Sequence, residues 1–321
     1  MKARQRVQVQ PVGETAWADR VAQAATEDVR ELVRAERRRR RGRWFAGGLV
    51  VLAVGAVVTL LLRSTVFAPV AGDPVADGAP RVVSGAQLDV SHPFDATPAA
   101  DWLDGAAGIS TPAPAAVGDF TADQVAAATR LVRDALVASR VDQRLVVDHD
   151  PAAYLARLAP DARRQLEPLF GTGREPEVQS LVSMVAAGSA LLPVAPKVSG
   201  SMTVDAGDHG ELLVHTNYVF AYAFEPRGPT KLVDAMNVIV VVRANVDYVL
   251  RSGTRWTPDS RGLWFGDASG YGYSIGCDSY RKGFLAPAST EPSVSAPADK
   301  REPGTFFDPG APLPAAGGCR S

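Results

Sequence analysis

Nineteen consecutive residues without a charge, Trp44 to Leu62, constrain this chain more than any other stretch. A helix of that length crosses roughly 30 Å of hydrocarbon. Arg37, Arg38, Arg39, Arg40, Arg41 and Arg43 precede the run, and only Arg63 follows it directly. Because basic residues are retained on the cytoplasmic side, this asymmetry predicts a cytoplasmic N-terminus and an extracytoplasmic C-terminal part. Trp44 stands where an interfacial aromatic belongs. A buried core helix would not carry six arginines at one end. A cleavable signal is the stronger rival, but its apolar region spans about 7–15 residues behind a short charged leader. Here the leader is 43 residues long, and Pro69 obstructs the cleavage-like Val66-Phe67-Ala68. The expectation is an uncleaved anchor over 44–62, held by lipid through its helix and arginine cluster, in a single-pass protein of the cell membrane.

The anchor also divides the charge. Residues 1–43 hold twelve Lys/Arg and six Asp/Glu, whereas residues 64–321 hold twenty-one and twenty-nine. An acidic outer part excludes nucleic acid as its ligand, since phosphate binding needs a basic footprint. In the cytoplasmic tail, residues 1–43, the spacing predicts an amphipathic helix over 14–36, with Trp17, Val21, Ala25, Val29 and Leu32 or Val33 on one stripe. That stripe offers a docking face for a cytosolic partner or for anionic headgroups. The bland alternative is a spacer whose arginines merely set topology.

Beyond the anchor, residues 63–118 are rich in Pro, Ala, Gly and Asp and predict a linker, with 91–103 as an arm packed on the domain through Phe94 and Trp102. An α+β domain is expected over 119–286. Thr121 and Gln124 have capping-box spacing ahead of the apolar face Val125, Ala128, Leu131, Val132, Ala135 and Leu136. Asp150-Pro151 and Pro160 start two further helices, and 176–191 suggests another. From Val198 the period changes to two. The stretches "VSGSMTVD" and "ELLVHTNYVFAYAFE" form a hairpin, "LVDAMNVIVVVRANVDYVLR" one long strand, and "TRWTPDSRGLWFGD" another hairpin. Helices followed by a strand meander argue for helices packed on one face of an antiparallel sheet. Residues 287–321 form a Pro-rich tail that reads as disordered or extended but ends near Cys319.

Cys277 and Cys319 are the only cysteines, and both follow the anchor. An even count on the oxidising side favours an intrachain disulfide tethering the tail, with free thiols or an interchain bond as alternatives. Two cysteines so far apart, without a nearby His pair, do not make a zinc site.

Catalytic patterns fail on context. Gly272–Gly276, "GYSIG", matches the nucleophile elbow, yet every histidine precedes Ser274 and no helix is expected after it. "SYRK" at 279–282 lacks the downstream elements that S-x-x-K enzymes need. "DHD" at 148–150 contains a helix cap and does not converge on one ion. No P-loop or dinucleotide glycine pattern appears, so no cofactor or metal is expected. What remains is a polar sheet face of His215, Asn217, Asn237, Arg243, Asn245 and Asp247. It lines a pocket or meets a protein partner if function selected it, and is a solvated face otherwise.

In the order of its elements over 14–285, the chain resembles bacterial bitopic proteins with an NTF2-like (cystatin-like) extracytoplasmic domain. These include assembly factors of type IV secretion and Gram-positive conjugation. The Arg-rich, Ala- and Val-rich composition fits an actinobacterial member. The resemblance implies helices on a curved antiparallel sheet and a non-enzymatic envelope scaffold that binds a protein partner. The alternatives are a transmembrane sensor or regulator, whose outer domain binds a ligand and whose 14–36 helix reports inward, and an envelope serine hydrolase. The Cys277–Cys319 tail is not something that architecture requires.

Overall fold

Helix formation begins where the capping-box spacing places it. Thr121 Oγ1 accepts from Gln124 N at 3.3 Å, and Gln124 Oε1 accepts from Thr121 N at 2.8 Å, opening α1 (Ala122–Arg140). Two orphan donors are satisfied reciprocally, so Thr121→Ala should cost about 1 kcal/mol. A lowered urea midpoint with unchanged slope would show it; an unchanged midpoint would mean the cap is idle. In a computed structural model, residues 88–227, 232, 234–291, 303–313 and 319 are described, all within one compact unit. The expected helix 14–36, the arginines 37–43 and the anchor 44–62 lie outside the described residues. Among the described residues, no helix is long and apolar enough to cross a membrane.

Three short helices follow: α2 (Gln143–Val146), α3 (Ala152–Leu155) and α4 (Pro160–Leu166). Asp150 Oδ1 accepts from Ala152 N at 2.9 Å, but the helix starts one residue later than expected, with Pro151 rather than Asp150 at its N-cap. The expected helix over 176–191 is absent. Only a single 3-10 turn, Glu175–Glu177, forms there. Val178, Leu181, Val182, Met184 and Val185 are all buried; Leu181 N and Val182 N still donate to Val178 O, but from Ser183 onward the backbone bonds outward. Ser183 N donates to Ser139 O, Val185 N to Val146 O and Ala186 N to Leu285 O. A segment walled in on several sides satisfies its peptide groups with whatever neighbour faces them.

The sheet has five antiparallel strands in sequence order: β1 (Leu103–Asp104), β2 (Lys197–Ala206), β3 (Glu211–Ala223), β4 (Ile239–Arg251) and β5 (Gly262–Tyr273). β1 lies inside the expected linker. Arg133 from α1 ties that segment down, donating to Ile109 O at 2.8 Å and Ala106 O at 2.7 Å. The arm expected over 91–103 does pack on the domain, with Phe94 buried and Trp102 against Phe307. β5 carries a bulge where Gly266 and Asp267 oppose Asp247 alone.

Period-two alternation is realised on β3. Val214, Thr216, Tyr218, Phe220 and Tyr222 face the helices and join Val132, Ala135, Leu136, Tyr154 and Leu158 in the main core. At the other end of the strands both faces are covered. There Val219, Ala221, Ala223, Ile239 and Val241 pack against Phe94, Ala99 and Phe307. This double burial explains the uninterrupted apolar run 238–242.

Tyrosines in this core make it sensitive to alkali. Burial pushes the Tyr222 and Tyr248 hydroxyls up to about 12, and Tyr154 well above its ordinary value of 10. Unfolded tyrosines ionise near pH 10, so above that pH the unfolded chain releases protons that the folded one keeps. The stabilisation is intact below pH 10 and disappears as the pH climbs towards 12. Tyrosinate absorbance should therefore rise in step with loss of circular dichroism in that window. Ionisation of these tyrosines near pH 10 in a still-folded protein would contradict it.

Candidate functional site

The antiparallel register brings together most of the predicted polar face. His215 is paired with Asp247 and Asn217 with Asn245, while Arg243 stands opposite Val219. His215 Nδ1 lies 2.7 Å from Asp247 Oδ1, and its Nε2 lies 3.5 Å from Asp205 Oδ2. Asn237 is not part of this face. It ends a 3-10 turn, Ala235–Asn237, ahead of β4, and its Oδ1 accepts from Asp234 N at 3.3 Å. Asp234 and Asn237 form a capping box, a spacing visible in the sequence but hidden by reading the stretch as strand.

The chain's own tail covers part of the face. Arg243 donates to the carbonyls of Asp308, Pro309 and Ala311, and Asn217 Nδ2 donates to Pro309 O at 2.7 Å. Phe306 stacks on Tyr273 with ring centroids 3.8 Å apart. The tail, expected to be disordered or extended apart from its tether at Cys319, is thus docked over 303–313, and Phe306, Phe307 and Ala311 are buried. Cys277 and Cys319 are joined in a disulfide with Cα atoms 5.2 Å apart. Cys277 begins the one-turn helix α5 (Cys277–Tyr280), whose Asp278 and Ser279 N–H groups donate to Glu291, each at 2.8 Å. Burial opposes ionisation of Glu291, but these hydrogen bonds prevail and hold its carboxyl below the ordinary range.

The helix after Ser274 departs from expectation: β5, Ser274 and α5 do make a strand–turn–helix. Ser274 has φ 55°. Its Oγ, however, donates to Met236 O at 2.6 Å. The histidines are engaged elsewhere: His92 with Asp89, His149 with Val185 O, His209 with Asp119 and His215 with Asp247. No described histidine bonds to Ser274. Among the described residues, no three His, Cys, Asp or Glu side chains converge to hold a metal ion.

Sequence reasoning missed the most unusual group. Arg140, the last residue of α1, is 1% exposed. Its guanidinium donates to Val182 O at 2.8 Å, to Ser183 Oγ at 3.0 Å and to Ser180 O. Its Nε has no partner among the described residues. No carboxylate pairs with it there; the titratable groups around it are the hydroxyls of Tyr222, Tyr248, Tyr154 and Tyr280, which are neutral. Burial consequently lowers its proton affinity. A cationic residue in the last turn of an amphipathic helix ordinarily signals a solvated end, so nothing local betrays the burial.

Arg140 borders a cavity of about 300 Å³ between the inner face of β4 and β5 and the segments around 179–182 and 280–285. Val242, Ala268, Tyr280 and Phe284 supply apolar wall, while Gln179 and Ser180 add polar groups. Gln179 Oε1 is buried and also lacks a partner among the described residues. Arg243 borders the cavity as well, but its guanidinium lies on the other face of the sheet, bound to the tail. Among the described residues that line the inner-face cavity, Arg140 alone therefore brings a cationic group to it, and none is Asp or Glu.

The chain matches no protein-family model. No curated protein and no solved structure shows significant similarity to it.

Proposed function

We propose that this chain is a single-pass envelope protein of bacteria whose outer α+β domain is a non-enzymatic ligand-binding module. The observation that carries the reading is the inner-face cavity with a buried arginine that no acid among the described residues neutralises. Concave, mostly apolar cavities holding a few convergent polar groups are the usual form of small-molecule sites. The polar face of β3 and β4, the alternative surface for a scaffold's partner, is already partly occupied by the tail. The sensor form of the hypothesis is therefore favoured over the scaffold form, with the 14–36 helix as the inward reporter. Placement in the membrane rests on the uncharged run 44–62 and its arginine flank. The Cys277–Cys319 pair fits an oxidising compartment, and helices packed on a five-stranded antiparallel sheet fit the NTF2-like architecture.

Two measurements test this. A non-permeant protease added to intact spheroplasts should remove the domain after residue 63 and leave the N-terminal tail. Protection of the domain would refute the orientation. Native mass spectrometry of the full chain, extracted from membranes in mild detergent, should release a small-molecule adduct. That adduct should be missing from Ala268→Phe, which fills the cavity without touching the bonds of Arg140. A bare chain in both forms would count against a ligand-binding module.

A further inference from the structure

We propose that the inner-face cavity takes a small organic monocarboxylate, anchored through its carboxylate by Arg140, with its apolar body against Val242, Tyr280 and Phe284. This rests on the ligand-binding reading above and adds the chemistry of the ligand.

The first reason is charge. Burying a guanidinium without a counter-charge is costly, and buried charges in proteins are ordinarily paired. Among the described residues, the guanidinium of Arg140 is hydrogen-bonded by carbonyl and hydroxyl oxygens, whose dipoles soften but do not cancel its charge. With no acid among the described residues that line the cavity, its positive character, carried by Arg140 alone, is unmatched. An anionic occupant supplies the missing partner.

The second reason is stoichiometry. A guanidinium has five N–H groups, and three hydrogen bonds account for three of them. Nε–H is one of the two left over. Two remaining donors on one planar group suit the two oxygens of a carboxylate. A phosphate dianion asks for more donors and more charge than this wall offers.

The third reason is the rest of the lining. About 300 Å³ lies at the small end of ligand sites, and most of the wall is aliphatic or aromatic. The buried, unpartnered end of the Gln179 amide gives a polar substituent on the ligand somewhere to bond. Water alone would fill a polar cavity of this kind, but it would leave the charge of Arg140 unmatched.

The test holds shape constant and varies charge. Benzoate, benzamide, benzylamine and inorganic phosphate are each added to the full chain in detergent, and thermal unfolding is followed. Benzoate at a hundredfold excess over its Kd should raise the melting temperature by about 5 °C or more. The other three should leave it unchanged. Arg140→Lys keeps the positive charge but loses the planar fork, and should bind benzoate at least tenfold more weakly. Should that variant fail to fold, Ala268→Phe provides an independent reading and should abolish the benzoate shift. Equal stabilisation by benzamide, or a benzoate shift that survives Ala268→Phe, overturns the proposal while leaving a ligand-binding cavity or surface in place. A larger shift with phosphate overturns the carboxylate assignment. If no compound shifts the melting temperature, the monocarboxylate proposal falls. The broader reading then falls only if native mass spectrometry also finds the chain bare.

Discussion

Replacing Gly200 by Ala is expected to destabilise the domain by about 3 to 5 kcal/mol, combining overpacking with backbone strain. Gly200 lies in β2 directly opposite Tyr218 of β3. A Cβ there would stand 2.2 Å from Asn217 O and 2.6 Å from Tyr218 Cα. Both obstacles are backbone, so no rotamer change relieves the contact, and the two strands must separate. The residue also sits at φ +152°, a conformation L side chains seldom adopt. Separation would propagate, because Tyr218 is fully buried and its hydroxyl donates to Ser110 O at 2.9 Å. That bond helps hold the 105–110 segment on the fold. Gly171→Ala serves as the comparison. It has φ +70° but nothing within 4 Å of the added carbon, so only the backbone cost of about 1 kcal/mol applies. Urea unfolding of both variants, followed by tryptophan fluorescence, measures the difference. Similar losses at the two positions would show that strand contact at Gly200 is not the determinant.

Elements whose local chemistry agrees with their tertiary surroundings were legible in the sequence. Thr121 and Gln124 announce α1, and alternation on β3 separates Tyr218, Phe220 and Tyr222 from His215 and Asn217. Where local pattern and long-range contact disagree, legibility ends. The 176–191 stretch has helix-like composition, but its carbonyls at Ser180 and Val182 are claimed by Arg140, some forty residues earlier. Arg140 itself looks like an ordinary C-terminal helix charge until the sheet and the 178–185 segment close over it. The docked tail was obscured by its proline-rich flanks, although the adjacent pair Phe306-Phe307 is an unusual concentration of aromatic surface for a solvated segment. The candidate cavity was invisible because its walls come from α1, the coil after α4, β4, β5 and the segment after α5. No periodicity links such distant pieces.

Loss of the Cys277–Cys319 bond should be the most damaging covalent change, at about 3 to 4 kcal/mol in the chain-entropy model for a separation of 42 residues. Whether that cost arises in the unfolded chain or on the folded surface can be separated through Arg243. Its guanidinium holds three tail carbonyls, at Asp308, Pro309 and Ala311, between the sheet and the Cys319 anchor. If the bond only restricts the unfolded ensemble, Arg243→Ala and Cys277→Ser/Cys319→Ser should add within about 0.5 kcal/mol. The geometry favours coupling instead. Tail docking buries Phe306, Phe307 and Ala311 and stacks Phe306 on Tyr273, and the disulfide and the Arg243 contacts hold the same segment in place. Once either restraint is gone the tail can lift, and removing the other then costs less. The double variant is thus expected to be at least about 1 kcal/mol more stable than the sum of the separate losses predicts. Limited proteolysis should cut near 303–313 in the cysteine variants while the strands stay protected. Strict additivity, with an uncut tail, would reduce the disulfide to a restraint on the unfolded chain and Arg243 to an independent surface contact.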